Sequence, residues 1–203
     1  MGGTMTADSP QDAGYRWPVP PPGGWTVEDL FTLPDLPPHT ELLDGSLIFV
    51  SPQRDTHSVM IDLLVAGLRD TAPRQFRVRR EMTVILDEAN GPEPDVTVLR
   101  AEAVSREKTR YTAADVVLAV EVISPESRRR DEQYKPRKYA ASGIPHFWLV
   151  EMPPDDTHPV VRTYELDPVT GAYGLTGIHH KRLQVSAPFD IDLDITWDAV
   201  DSL

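Results

Sequence analysis

The sequence predicts an α/β fold with a mixed central β-sheet flanked by helices, and three observations predict it. The run Val116-Val117-Leu118-Ala119-Val120-Glu121-Val122-Ile123-Ser124 is almost continuously apolar and rich in valine, as a strand buried on both faces must be. A second apolar run, His146 to Glu151, follows after a helix-length segment that Gly143 ends. Two strands joined through a helix form a right-handed crossover and lie parallel. Farther on, Val160 to Leu166 and the short segments from Ala172 onward flank the turn Asp167-Pro168-Val169-Thr170-Gly171. They read as antiparallel additions, which makes the sheet mixed.

The elements can be taken in order. Residues 1–24 hold Pro18, Pro20, Pro21, Pro22, Gly23 and Gly24 without apolar periodicity, and are expected to be a disordered or extended tail. Residues 25–203 are then a single domain. Thr26 to Leu33 predicts a short helix capped by Thr26, with acids in its first turn. Thr40 to Val50, with Asp44-Gly45 at its centre, predicts a hairpin. Asp55 or Thr56 should cap a helix running to about Asp70. Val59, Leu63, Ala66 and Gly67 lie on one side of it, and Met60, Leu64 and Leu68 widen the apolar face. Phe76 to Leu86 reads as one strand passing from surface to core. Gly91-Pro92-Glu93-Pro94 is a turn that delivers Asp95 into the strand that follows. A helix is expected over 131–142, regular only from Pro136, because proline suits a first helical turn and disfavours helix for the residue before it.

Composition bounds the function. The chain has 203 residues, 40% hydrophobic and 26% charged, enough for a real core. No apolar stretch approaches the roughly 20 residues that span a membrane, and Met1 to Pro22 is no secretory signal. The absence of cysteine excludes disulfides, thiolate metal sites and a cysteine nucleophile. These features lead us to expect a cytoplasmic protein. The net charge of −12 argues against indiscriminate nucleic-acid binding. Even so, the basic residues cluster at Arg74, Arg77, Arg79 and Arg80, and again at Arg128, Arg129, Arg130, Lys135, Arg137 and Lys138.

The chemistry begins with Glu121. An ionised carboxylate inside a buried strand costs several kcal/mol unless it is paired, protonated or bound to a metal. Asp95 opens another apolar strand, and Lys135 follows within the basic segment. Two strand-borne acids and a lysine are what metal-assisted phosphodiester hydrolysis requires. Each residue also has a plainer reading. Glu121 could pair with an arginine of the 77–80 group, Asp95 could serve a turn, and Lys135 could be a solvated helix-start lysine. Glu41 would then be an exposed strand residue, and His57 a cap or core histidine.

Taken together, the ordered series resembles a known family. Glu41-Leu42-Leu43-Asp44-Gly45, Ser51-Pro52 with His57, Pro94-Asp95-Val96 and Val120-Glu121-Val122-Ile123-Ser124-Pro125 match it. So do Arg130-Asp131, Lys135, Tyr139-Ala140 and Gly143 to Val150. On these motifs the chain resembles the Uma-two-type putative restriction endonucleases, a branch of the PD-(D/E)xK nuclease superfamily. The resemblance implies a restriction-endonuclease-like core and magnesium-dependent cleavage of DNA, with manganese as a substitute. It implies Asp95, Glu121 and Glu41 as metal ligands and Lys135 as the catalytic lysine, with His57 and Tyr139 as accessory positions. It also implies a homodimer. One departure matters: Ile123 stands where the superfamily's lysine would complete Glu-x-Lys, so the lysine has to come from the next segment, as Lys135 or else Lys138.

Three functions compete on this reading. The first is a metal-dependent DNA endonuclease. The second is a nuclease-fold protein that no longer cleaves and acts as a binding or regulatory module. The third is a hydrolase of another phosphate ester. A long basic groove would favour nucleic acid, and a closed pocket a small molecule.

Overall fold

The computed structural model describes residues 19–50, 52–153 and 158–202. Most of the expected tail, residues 1–18, and the motif residue Ser51 lie outside them. Residues 19–22 are exposed, and Gly24 N donates to Pro21 O in a turn.

A six-stranded sheet organises the molecule. Its central strand is β7 (Val116–Val122), buried at every position. On one side β7 pairs antiparallel with β5 (Val96–Arg100), which pairs antiparallel with β3 (Phe76–Arg80). On the other side it pairs parallel with β8 (His146–Glu151), in register Leu118 to His146, as the crossover predicts. Antiparallel β9 (Val160–Asp167) and β10 (Ala172–His179) complete that half.

Alternation along β7 sends its side chains into two cores. Leu118, Val120 and Val122 meet Val96, Val98, Trp148 and Val150, under α2 (Asp55–Thr71) and α4 (Trp197–Asp201). The hairpin β11 (Arg182–Val185) and β12 (Ile191–Asp194) adds Leu183 and Ile191 to this core. Ala119 and Ile123 instead meet Leu99, Phe147, Leu149 and Tyr139 on the face covered by α3 (Lys135–Ala141). Glu121 has the parity of this second face. Of the aromatics Phe147, Trp148 and Tyr164, whose sequence pattern leaves core or interface open, the first two are buried in the core and Tyr164 is half-buried against the second one.

Two short elements match their sequence signals closely. Helix α1 (Val27–Thr32) starts at Thr26 with a capping box to Asp29. Strands β1 (Glu41–Leu43) and β2 (Ser46–Ile48) form the predicted hairpin, with Asp44 and Gly45 both at positive φ, as a tight two-residue turn demands.

Other expectations need correction. Phe76 to Leu86 is two strands, because Glu81 adopts φ 50° and breaks the run. The second piece, β4 (Thr83–Ile85), leaves the main sheet and pairs parallel with β6 (Arg110–Thr112). Helix α2 starts after Arg54 without a side-chain cap, so Asp55 is its first helical residue and not its cap. Its buried face holds His57, Met60, Ile61, Leu63, Leu64, Val65 and Leu68, while Ala66 is exposed.

The segment before α3 contains a wide helical turn, Arg130–Tyr134, closed by Lys135 N donating to Arg130 O. A proline ring clashes with the carbonyl four residues back in a regular helix, and the wide turn ahead of Pro136 relieves that crowding. Lys135 itself sits at φ −58° and ψ −45°, a helical conformation that a following proline disfavours. Gly143, at φ 77°, ends the helix.

Candidate active site

The candidate residues converge where β5 starts and β7 ends. Asp95 directly precedes β5, and the register Val96 to Val120 sets it across from Glu121. Its Oδ2 accepts a hydrogen bond from Val122 N at 2.6 Å, so the carboxylate extends the β5–β7 ladder beyond the last main-chain pair. Its Oδ1 lies 3.3 Å from His57 Nε2, at the start of α2.

Glu121 finds its partners on α3, since both lie on the same face of the sheet. Lys135 Nζ donates to Glu121 Oε2 at 2.9 Å, and Tyr139 OH donates to the other carboxylate oxygen. Lys135 and Tyr139 are four residues apart, so one helix face presents both groups to one acid. Lys135 Nζ also lies 2.8 Å from Glu41 Oε1 and 3.4 Å from Asp131 Oδ1. Glu41 Oε1 in turn accepts from Glu93 N at 2.8 Å. Glu93 belongs to the turn that Leu42 and Gly91 tie to the hairpin through paired backbone hydrogen bonds. A side chain at Gly91 would press on Leu30 and Val27, which explains glycine at this close approach.

Burial makes these contacts consequential. Glu41, Glu121, Asp131 and Lys135 are 2%, 1%, 1% and 4% exposed. Burial pushes the Glu121 carboxyl well above the usual range, against the pull of Lys135. Burial likewise raises Asp131, opposed by Lys135 and by a hydrogen bond from Ser127. For Lys135, burial would lower the ammonium, but Glu121, Glu41, Asp131 and Asp95 together hold it well above its ordinary value. Tyr139 is raised by burial and by Glu121 and Glu41, so it remains a donor.

The plainer readings therefore fail for several residues. Glu41 is buried, Lys135 is not solvated, and Glu121 pairs with Lys135 and not with an arginine of the 77–80 group. Arg80 instead pairs with Asp62 and Glu81. Lys138, the alternative lysine, is drawn away to Asp44 at the surface. Asp131, matched in the sequence only as part of Arg130-Asp131 and given no role there, joins the candidate site. Its signal was its place four residues before Lys135.

Glu41, His57, Asp95, Glu121, Asp131 and Lys135 line a cavity of about 520 Å³. Glu81, Glu93, Arg54, Arg128, Arg130 and Trp197 also line it. At its edge His39 and Glu93 share a hydrogen bond. That bond raises the His39 imidazole above its ordinary pKa, against a smaller effect of burial. The hydroxyls of Ser124 and Ser127 bond each other where the chain leaves β7.

The donor set is entirely oxygen, which suits magnesium or manganese far better than zinc. Among the described residues no three His, Asp or Glu side chains form a ready cage. Magnesium does not need one, since it commonly takes one or two carboxylates and keeps several waters. His57 Nδ1 is buried without a hydrogen-bond partner among the described residues, and Asp131 Oδ1 meets only the longer ion pair with Lys135, so the wall has polar capacity in reserve.

Comparison with known proteins adds the following. A family model described as Uma2, putative restriction endonuclease, matches residues 27–198. No curated protein sequence matches. Among solved structures, a putative nuclease of the DUF820 group from Anabaena variabilis superposes with a TM-score of 0.62. It is 17% identical, and the match covers 88% of this chain and 92% of that one. At that identity the likeness speaks for the fold.

Proposed function

The chain belongs to the Uma2 putative restriction endonuclease family, and from that premise we propose that it is a metal-dependent endonuclease that hydrolyses DNA phosphodiester bonds. The observation that carries the reading is the buried Lys135 ammonium, 2.8 Å from Glu41 and 2.9 Å from Glu121, beside Asp95 in an open cavity. A chain with no use for these charges would bury apolar side chains here at less cost.

Asp95 and Glu121, with Glu41, would hold magnesium or manganese. Such an ion polarises a phosphodiester and brings bound water toward hydroxide near neutral pH. The protein's own groups do the positioning. Tyr139 fixes the Glu121 carboxylate from one side, and His57 and Val122 N fix Asp95. Glu41 and Asp131 hold Lys135, whose ammonium can orient the attacking water or stabilise charge on the phosphate. The lysine missing after Glu121, where Ile123 stands, is in this reading replaced from α3. Homodimerisation and a cytoplasmic location belong to the same proposal, and sedimentation velocity tests the first.

The test is calorimetric titration of magnesium or manganese into wild type and Glu121→Ala, with plasmid nicking on the same preparations. The expected result is ion binding and nicking in wild type, both lost in the variant. Absent binding, with Glu121→Ala folded and more heat-stable, would overturn the proposal. It would leave a non-catalytic module in which Lys135 and its acids are a buried ion cluster.

A further inference from the structure

The carboxylates of the cavity would, on their own, repel a phosphodiester: besides Glu41, Asp95, Glu121 and Asp131, both Glu81 and Glu93 line it. Two of the cations there are already spent. Lys135 is shared among Glu41, Glu121 and Asp131, and Arg128 is held by Glu132 and Glu151 at 2.7 Å each. Arg130 and Arg54 are not spent. Both line the cavity, and neither side chain has an ion pair or hydrogen bond among the described residues. Arg130 Nε is also buried, which makes the missing acceptor costly. A guanidinium is the side chain whose planar fork of donors fits a phosphate.

Helix α2 points the same way. It begins at this cavity, where Arg54, Thr56 and His57 line the wall. A helix N-terminus carries partial positive charge and unpaired N–H groups, which a Ser, Thr, Asp or Asn at the N-cap usually satisfies. Here the N-cap is Arg54, whose side chain cannot accept, and no side-chain hydrogen bond closes the end. His57 N and Ser58 N reach Arg54 O, while Asp55 N and Thr56 N have no acceptor among the described residues. Asp55, the acid of the first turn, is not one of the residues lining the cavity. An open helix N-terminus beside an unpartnered guanidinium suits an anion.

Resting on the nuclease reading, we infer that Arg130, Arg54 and the open N-terminus of α2 form a phosphate-binding subsite, which holds a backbone phosphate of the substrate beside the acids. Calorimetric titration of thymidine 3′,5′-bisphosphate and of thymidine, in EDTA so that no divalent ion contributes, tests it. The bisphosphate should bind wild type at least about tenfold more tightly than the nucleoside. Arg130→Gln should weaken it by about tenfold, as loss of a charged donor does. Arg54→Asp gives α2 a cap, so it should raise Tm and yet weaken the bisphosphate by about tenfold; a merely structural role for this end would move Tm alone. Arg54 is exposed, so this variant leaves the core intact. No preference for the bisphosphate, or undiminished binding in either variant, overturns the inference. Nicking in manganese separates the two readings. Wild-type KM in both variants sinks the subsite and keeps the nuclease. Bisphosphate held through both arginines, with no nicking under any divalent ion, sinks the nuclease and keeps the subsite.

Discussion

Replacing Lys135 by methionine would remove the ammonium and leave Glu41, Glu121 and Asp131 buried together with no cation among them. The two closest contacts, 2.8 and 2.9 Å, are to side chains only 3% and 2% exposed, so solvent screens little of the loss. Breaking a buried ion pair from one side costs roughly 3–5 kcal/mol. In a chain of this size that corresponds to a fall in Tm of roughly 6–20 °C. The loss should depend on pH. Burial already raises the Glu121 carboxyl above its unfolded value, so the native state binds a proton there that the unfolded chain releases. That contribution is fully present below the unfolded pKa and is lost as pH rises through the folded pKa. Without Lys135 the upward push on Glu121 grows, and the deficit against wild type should be largest near neutrality and shrink on acidification. Thermal melts of both proteins, followed by circular dichroism at about pH 5 and about pH 8, measure it. If the ion proposed above binds here, saturating manganese should return about 2.7 kcal/mol at a hundredfold excess over Kd. A deficit below about 1 kcal/mol at neutral pH, or one of equal size at both pH values, would refute the reasoning.

Three further outcomes follow from the same geometry. Tyr139→Phe keeps the ring packed near Phe147 but removes the hydroxyl that Glu121 accepts from, and should cost about 1–3 kcal/mol by urea denaturation. Asp131→Asn removes a buried negative charge that burial already disfavours; stability should move by no more than about 1 kcal/mol, whereas kcat for nicking should drop with KM little changed, because Lys135 loses one of its restraints. His39, raised mainly by the hydrogen bond it donates to Glu93, should titrate above about 6.5 by NMR and fall back toward that value in Glu93→Gln. Its contribution to stability is present below the unfolded pKa and disappears as pH rises through the folded one.

The parts of the fold that were legible were those written in local pattern. The apolar run of β7, the crossover to β8 and the Asp44-Gly45 turn each depend on neighbours in sequence, and each was found where expected. Glu121 stood out because a carboxylate inside such a run demands a partner. Which partner it has was not legible from pattern, because that depends on the sheet face α3 covers. The break at Glu81 was hidden for a similar reason: its positive φ follows from where β4 has to go to reach β6, and nothing in the residues around it signals that. Ala66 looked like part of a buried stripe, yet α2 turns Ile61 and Val65 inward in its place. Asp131 is an acid among arginines whose spacing from Lys135 hinted at a pair, but it is the wide turn before Pro136 that points it into the protein.

That turn has a consequence for when the site can exist. Lys135 holds a helical backbone that Pro136 disfavours, and α3 spans only seven residues, Lys135–Ala141. A segment this short has almost no helical tendency of its own in water. It is held in shape by Tyr139 and Ala140, which are buried against the sheet. The lysine thus reaches its carboxylates only after β7 and β8 have paired and the second core has closed. A partly folded chain, or a peptide covering this region, would present the same residues without their arrangement. Competence of the site is therefore tied to completion of the whole domain, so mild destabilisation far from the cavity should lower the fraction of competent molecules without altering what each of them can do.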